Sequence, residues 1–222
     1  MSYQHRNADA SPIELPTGKV VCVGRNYAEH ARELNNPVPT EPILFIKPAT
    51  SLVALEDPFD IPSGLGAVHF ETELAVLIGE PLNNADELRA QRAIAGIGVG
   101  LDLTLREVQD QLKQKGHPWE KSKAFDGACP LSAFLSPATA GDLSDVQIRL
   151  TVNGEVRQDG NSAQMITPVL KLLSYISQWF SLQPGDVVMT GTPAGVGPVQ
   201  PGDELRVELV DLLRVDTRVN HH

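Results

Sequence analysis

Val68-His69-Phe70-Glu71-Thr72-Glu73-Leu74-Ala75-Val76-Leu77-Ile78 alternates with a period of two. Val68, Phe70, Thr72, Leu74, Val76 and Ile78 fall on one side, and His69, Glu71 and Glu73 on the other. That period predicts a strand with one face on a core. Residues two apart on a strand share a face and stand roughly 6.5–7 Å apart along the chain. Two carboxylates held that close repel each other, and a cation between them relieves the repulsion at neutral pH. From this stretch alone, a solvated polar face of an antiparallel sheet accounts for the pattern equally well.

Outward from this strand, the glycine-rich run AGIGVGLDL at 95–103 predicts a buried strand ending at Asp102. A side chain at a strand end, on the loop that follows, is where a fold commonly presents functional groups. Glu71, Glu73 and Asp102 together offer three hard oxygen ligands with no cysteine, which favours Mg2+ or Mn2+ over zinc. His69 could share their face. His30 and Glu33 are three apart in a predicted helix, so their side chains are neighbours. A carboxylate beside an imidazole suits activation of a water, although an ordinary surface ion pair explains the same spacing. Arg106 and Gln109 stand one turn apart at the start of the helix after Asp102, where dipole and guanidinium both favour an anion. A solvated helix face would carry the same two residues. Lys123 sits in a polar segment that has no readable pattern. The loop GTPAGVG at 191–197 lacks the Gly-Lys-Ser/Thr ending of a P-loop and reads as tight backbone.

The rest of the 222 residues reads as short elements joined by turns, with 17 prolines and 18 glycines spread throughout. Strands are expected at Lys19–Val23, Ile43–Ile46, Asp186–Thr190 and Glu204–Val210, with Asn153-Gly154 as a hairpin turn. A short helix capped by Asn26 runs to Leu34. Asn84/Glu87 and Thr104/Glu107 read as capping boxes opening two further helices. Thr167-Pro168 opens the one long helix, burying Val169, Leu172, Leu173, Ile176 and Phe180. No linker divides the chain, so a polar lead-in at 1–18 and a single strand-dominated domain at 19–222 are expected.

The formal charge of −10 argues against a nucleic-acid surface and against an anionic membrane surface. The apolar runs near 94–101 and 74–78 fall short of the ~20 residues a membrane helix needs. The N-terminal segment has no secretory h-region. Cys22 and Cys129 read as small buried hydrophobes, so a reducing cytoplasm is the default expectation.

Taken in order, GRNYAEHARE (24–33), ILFIKP (43–48), HFETELAVLIG (69–79), GLDLTLREVQ (100–109), WEKSKAFDGACPLSAF (119–134), VNGEVRQ (152–158) and GDVVMTGTPAGVGPV (185–199) resemble the fumarylacetoacetate hydrolase family. The similarity extends over almost the whole chain from Val20 and is to the short branch holding acylpyruvases and small bacterial isomerases. It implies an α+β, β-rich fold: a mixed β-sandwich or rolled sheet with a few peripheral helices, as a homodimer. It implies Glu71, Glu73 and Asp102 as ligands of Mg2+ or Mn2+, and His30 with Glu33 as a water-activating pair on a helix that orders over ligand. Arg106, Gln109, Lys123 and Thr192 match positions that hold a small keto-acid substrate and its developing charge. Phe70 stands where many relatives have histidine; because it points to the apolar face, no catalytic loss is expected. The activity expected from the resemblance is hydrolytic C–C cleavage of a β-diketo acid of the acylpyruvate or fumarylpyruvate type to pyruvate and a carboxylic acid. In it, His30 would act as base, and Lys123 would steady the pyruvate enolate. The alternative is an isomerase, tautomerase or decarboxylase acting on oxaloacetate or a 2-hydroxy-diene-dioate through the same enolate. A non-catalytic module holding a structural cation is disfavoured by the gathering of His30, Glu33, Arg106, Gln109 and Lys123.

Overall fold

A computed structural model describes residues 3–221; Met1, Ser2 and His222, at the ends of the two expected segments, lie outside it. Among the described residues the centre is a mixed, curled sheet of seven strands. Its order is Ile43–Lys47, Val20–Gly24, Val187–Met189, Thr72–Ile78, Ile94–Leu101, Cys129–Leu131 and Leu52–Ala54. Two pairs are parallel, Val20–Gly24 with Val187–Met189 and Leu52–Ala54 with Cys129–Leu131. A four-stranded antiparallel sheet (Glu155–Asn161, Gln147–Val152, Glu204–Leu209, Leu213–Arg218) and a three-stranded one (Gly197–Pro198, Val68–Phe70, Thr104–Leu105) complete the strands. With the peripheral helices this is the α+β, β-rich architecture expected.

Val68–Ile78 is not one strand. Val68–Phe70 belongs to the three-stranded sheet and Thr72–Ile78 to the large one, and the chain changes sheets at Glu71. The second strand is buried on both faces. Leu74, Val76 and Ile78 join the main core with the inner face of the four-stranded sheet, while Ala75 and Leu77 join a second core with Val20, Cys22 and Phe134. Burial on both sides is what a mid-sheet strand with covered faces requires. Both cysteines are buried and unpaired. The segment from Tyr3 to Gly18 lies against the second core through Tyr3, Ile13 and Leu15. There, buried His5 places Nε2 3.0 Å from the Gly185 carbonyl.

Three capping assignments change. The first helix is Ala28–Glu33, and Asn26 does not cap it. Asn26 instead donates to the Thr167 and Thr190 carbonyls and accepts from the Thr167 amide, tying three segments together. Asp86, not Asn84, caps Glu87–Arg92 by accepting from the Arg89 amide. Thr104 lies in a strand and its hydroxyl donates to the Asp102 carbonyl, so Arg106–Gln114 starts without a side-chain cap. Asn26 is claimed by distant main-chain partners, Asn84 gives way to Asp86 at the N-cap position, and Thr104 is drawn into a strand against His69. The Asn153-Gly154 hairpin and the long helix Val169–Trp179 form as expected, with Phe180 half-buried just beyond the helix.

Candidate active site

Glu71 occupies the switch between sheets, Glu73 the start of the next strand, and Asp102 the residue after strand Ile94–Leu101, its direct neighbour. The Asp102 amide donates to the Glu71 carbonyl at 2.8 Å, which fixes the two loops against each other. One carboxylate oxygen from each of the three lies within 4.8 Å of the others, and all three residues are buried. Cations surround them. Lys123 Nζ stands 2.8 Å from Glu71 Oε2 and 2.6 Å from Asp102 Oδ2. Lys47 Nζ is 2.8 Å from Asp102 Oδ1, and Arg106 pairs with Glu71 Oε1.

The two glutamates are driven apart electrostatically. Burial raises Glu71, but the Lys123 ammonium and the Arg106 guanidinium outweigh it and hold its carboxyl well below the usual range. Burial, then the facing charges of Asp102 and Glu71, push Glu73 well above its ordinary value. Glu73 accepts from the Gly191 amide at 2.7 Å and, among the described residues, forms no ion pair. Three hard oxygens converging, one on a carboxylate without a counter-charge, fit a divalent cation of the Mg2+ or Mn2+ class. Burial alone would lower Lys123; Asp102 and Glu71 raise it instead, so it stays an ammonium.

His30 is buried on the short helix, with Nδ1 3.3 Å from Glu33 Oε2. Burial lowers its pKa, partly offset by Glu71 and Glu33, so the imidazole is neutral at pH 7. Glu33 Oε1 accepts from the Gly195 amide at 3.0 Å. Two glycines of the 191–197 loop thus bind site carboxylates. Gly191 and Gly195 have φ of 98° and 99°, and a Cβ on Gly195 would lie 2.0 Å from the Arg157 carbonyl oxygen. Only glycine fits there.

Arg106 and Gln109 are buried on Arg106–Gln114, and Arg106 Nη1 donates to Gln109 Oε1 at 2.8 Å. Thr192 accepts at its hydroxyl from Gln158 at 2.8 Å. His30, Glu71, Glu73, Arg106, Gln109, Lys123 and Thr192 line one pocket with Phe45 and Trp119. Glu33 borders the cavity beside it, and Asp102 lies beneath, against Lys123. The pocket holds about 20 Å3, room for one water, so its lining must open to admit a substrate. His69, half-buried, lines the neighbouring cavity with Glu33, and no hydrogen bond reaches its buried Nδ1.

Sequence reasoning missed two residues. Lys47 is fully buried, and Nζ donates to the carbonyls of Lys123, Ala128 (3.0 Å) and Leu103 (3.4 Å). A lone lysine closing the apolar run ILFI was the available signal. Gln158, equally buried, accepts from the Thr72 amide and donates to Thr192 and Pro193, with no signal in its strand pattern.

The family model for the C-terminal domain of fumarylacetoacetate hydrolase matches residues 19–220. The chain is 54% identical to the oxaloacetate tautomerase YcgM of Escherichia coli K12, across 92% of this chain and 94% of that one. A crystal structure of a fumarylacetoacetate hydrolase family protein from Yersinia pestis superposes with a TM-score of 0.96 at 53% identity, covering 98% and 100% of the two chains. The fumarylpyruvate hydrolase of Pseudomonas aeruginosa, solved with Mn2+ and pyruvate, gives 0.92 at 35% identity, covering 100% and 97%. With this similarity end to end, and the same β-rich architecture beneath it, the chain belongs to the fumarylacetoacetate hydrolase family.

Proposed function

We propose that this protein is a divalent-metal-dependent oxaloacetate tautomerase, interconverting the keto and enol forms of that acid. The observation that carries the reading is the 54% identity to the E. coli oxaloacetate tautomerase over nearly the full length of both chains. It favours enolate chemistry without attack by water, the alternative stated from sequence, over diketo-acid hydrolysis.

A cation held by Glu71, Glu73 and Asp102 would supply Lewis-acid polarisation of the keto oxygen. His30, neutral and with Nδ1 engaged by Glu33, takes a proton from the substrate's C3 at Nε2. The keto oxygen is 1,3-related to that carbon, so one imidazole can return the proton to oxygen and complete the shift to enol. Glu33 orients the ring and offsets the imidazolium charge as it forms. Lys123 places a fixed positive charge where the enolate's negative charge develops. Arg106, Gln109 and Thr192 hold the substrate. Residues 19–222 form the catalytic unit, and Tyr3–Gly18 pack against its second core. The open apolar groove lined by Ile46, Leu65, Leu105, Val108 and Phe125 supports assembly as a homodimer.

Hydrolysis of an acylpyruvate stays as a second reading because the Mn2+- and pyruvate-bound fumarylpyruvate hydrolase shares the fold at a TM-score of 0.92. The test follows the ultraviolet absorbance of freshly dissolved enol oxaloacetate with metal-loaded and chelated protein, with acetylpyruvate in H218O run in parallel. Metal-dependent acceleration of enol decay supports the tautomerase. No acceleration, with 18O entering acetate, replaces it by the hydrolase.

A further inference from the structure

Arg106, Gln109 and Lys113 fall at i, i+3 and i+7 on the helix Arg106–Gln114 and share one face. The face leads outward from the carboxylates. Arg106 pairs with Glu71 and donates to Gln109 Oε1, and Lys113 Nζ donates to that same oxygen at 3.1 Å. The ammonium lies 5.2 Å from the centre of the Trp119 ring. Lys113 borders both the closed pocket and the 240 Å3 cavity beside it, which Arg106, Glu33 and His69 also line. Arg25 lines the closed pocket as well.

Charge is unevenly distributed along this wall. Lys47, Lys123 and Arg106 each face a carboxylate, whereas among the described residues neither Lys113 nor Arg25 forms an ion pair. Burial, then Arg106 and Arg25, bring Lys113 down to about 8, against the opposing pull of Asp110 and Glu71. It is still mainly an ammonium at pH 7. A half-buried ammonium beside two guanidinium groups, bonded to a neutral amide, attracts an anion strongly.

We infer that Lys113, with Arg25 beside it, binds the distal carboxylate of a dicarboxylic keto acid and selects dianionic over monoanionic substrates. The inference rests on the keto-acid reading above and adds the residue that reads the second charge. Arg106 and Gln109 lie between Lys113 and the three carboxylates, so the distal end of a substrate gripped there lies toward Lys113.

The test compares oxaloacetate with its 4-methyl ester, which keeps the reacting atoms and loses the distal charge. Turnover and binding, the latter by fluorescence of Trp119 and Trp179, are measured for metal-loaded wild type, Lys113→Met and Lys113→Arg. Expected for Lys113→Met is a rise of about tenfold or more in KM and Kd for oxaloacetate, the scale of one charge-assisted hydrogen bond. Its kcat stays within about threefold, its ester constants stay unchanged, and Lys113→Arg recovers most of the affinity. Equal shifts for diacid and ester, or an unchanged oxaloacetate constant, overturn the inference. A wild type that binds oxaloacetate without interconverting its forms sinks the tautomerase reading, while the diacid-to-ester binding ratio still decides the role of Lys113.

Discussion

Replacing Lys47 by methionine tests whether the carboxylate cluster depends on a buried ammonium that sequence reasoning overlooked. Lys47 and Asp102 are 0% and 1% exposed and 2.8 Å apart, and Nζ also serves three main-chain carbonyls. Methionine fills nearly the same volume, so the change removes charge and donors more than packing. Removing Lys47 leaves Asp102 with only the Lys123 that it shares with Glu71, and strips three buried carbonyls of a donor, at a cost of about 3–5 kcal/mol. For a chain of this length that lowers the melting temperature by roughly 6–20 °C, at about 2–4 °C per kcal/mol. With a urea slope of roughly 2–3 kcal/mol/M, the midpoint falls by about 1–2.5 M. The assay is urea unfolding followed by circular dichroism, with chelator and then with excess Mg2+. The loss should be largest with chelator and shrink with Mg2+, because a cation on the trio returns positive charge to Asp102. A loss below about 1 kcal/mol in chelator, with an unchanged slope, would refute the argument that Lys47 balances this cluster.

His30→Ala should lower kcat by about 100- to 10,000-fold while calorimetry finds Mn2+ affinity unchanged; normal turnover removes His30 as the base. Because His30 must be neutral and burial lowers its pKa, the acid limb of kcat/KM should fall below pH 6.5, and a limb above that value contradicts the assignment. His5 is likewise lowered by burial, so the unfolded state binds more protons below pH 6.5. Stability should decline as pH falls through 6.5 toward the folded value, and His5→Gln should flatten that slope in pH-dependent melting. Gly195→Ala forces a Cβ against the Arg157 carbonyl and frees Glu33, so kcat should drop about tenfold with native circular dichroism. Chelation should abolish turnover, and adding Mg2+ or Mn2+ at 100 times its Kd should raise stability by about 2.7 kcal/mol in denaturation curves.

The sequence by itself determined much of this. Alternation around Glu71 and Glu73, and Asp102 closing a glycine-rich strand, pointed to the three carboxylates that the fold gathers, because strand periodicity is local and oxygen donors are a matter of residue type. The i, i+3 spacings paired His30 with Glu33 and Arg106 with Gln109 for the same reason. The tertiary structure decided whether these groups are buried or solvated, which spacing cannot say. It put Arg106 and Gln109 inside, broke Val68–Ile78 at Glu71 into two sheets, took Asn26 from its capping role for the Thr167 and Thr190 carbonyls, and drew Thr104 into a strand against His69. Gln158 was invisible to pattern, and Lys47 showed only as a lysine closing an apolar run, because their partners lie 34 to 86 residues away. Pattern read the 191–197 loop as tight backbone, with Thr192 carried only by the family resemblance; that its amides meet Glu73 and Glu33 is a tertiary fact. Charge balance in a buried site depends on which groups the fold brings within a few ångströms, and that distance exists only in three dimensions.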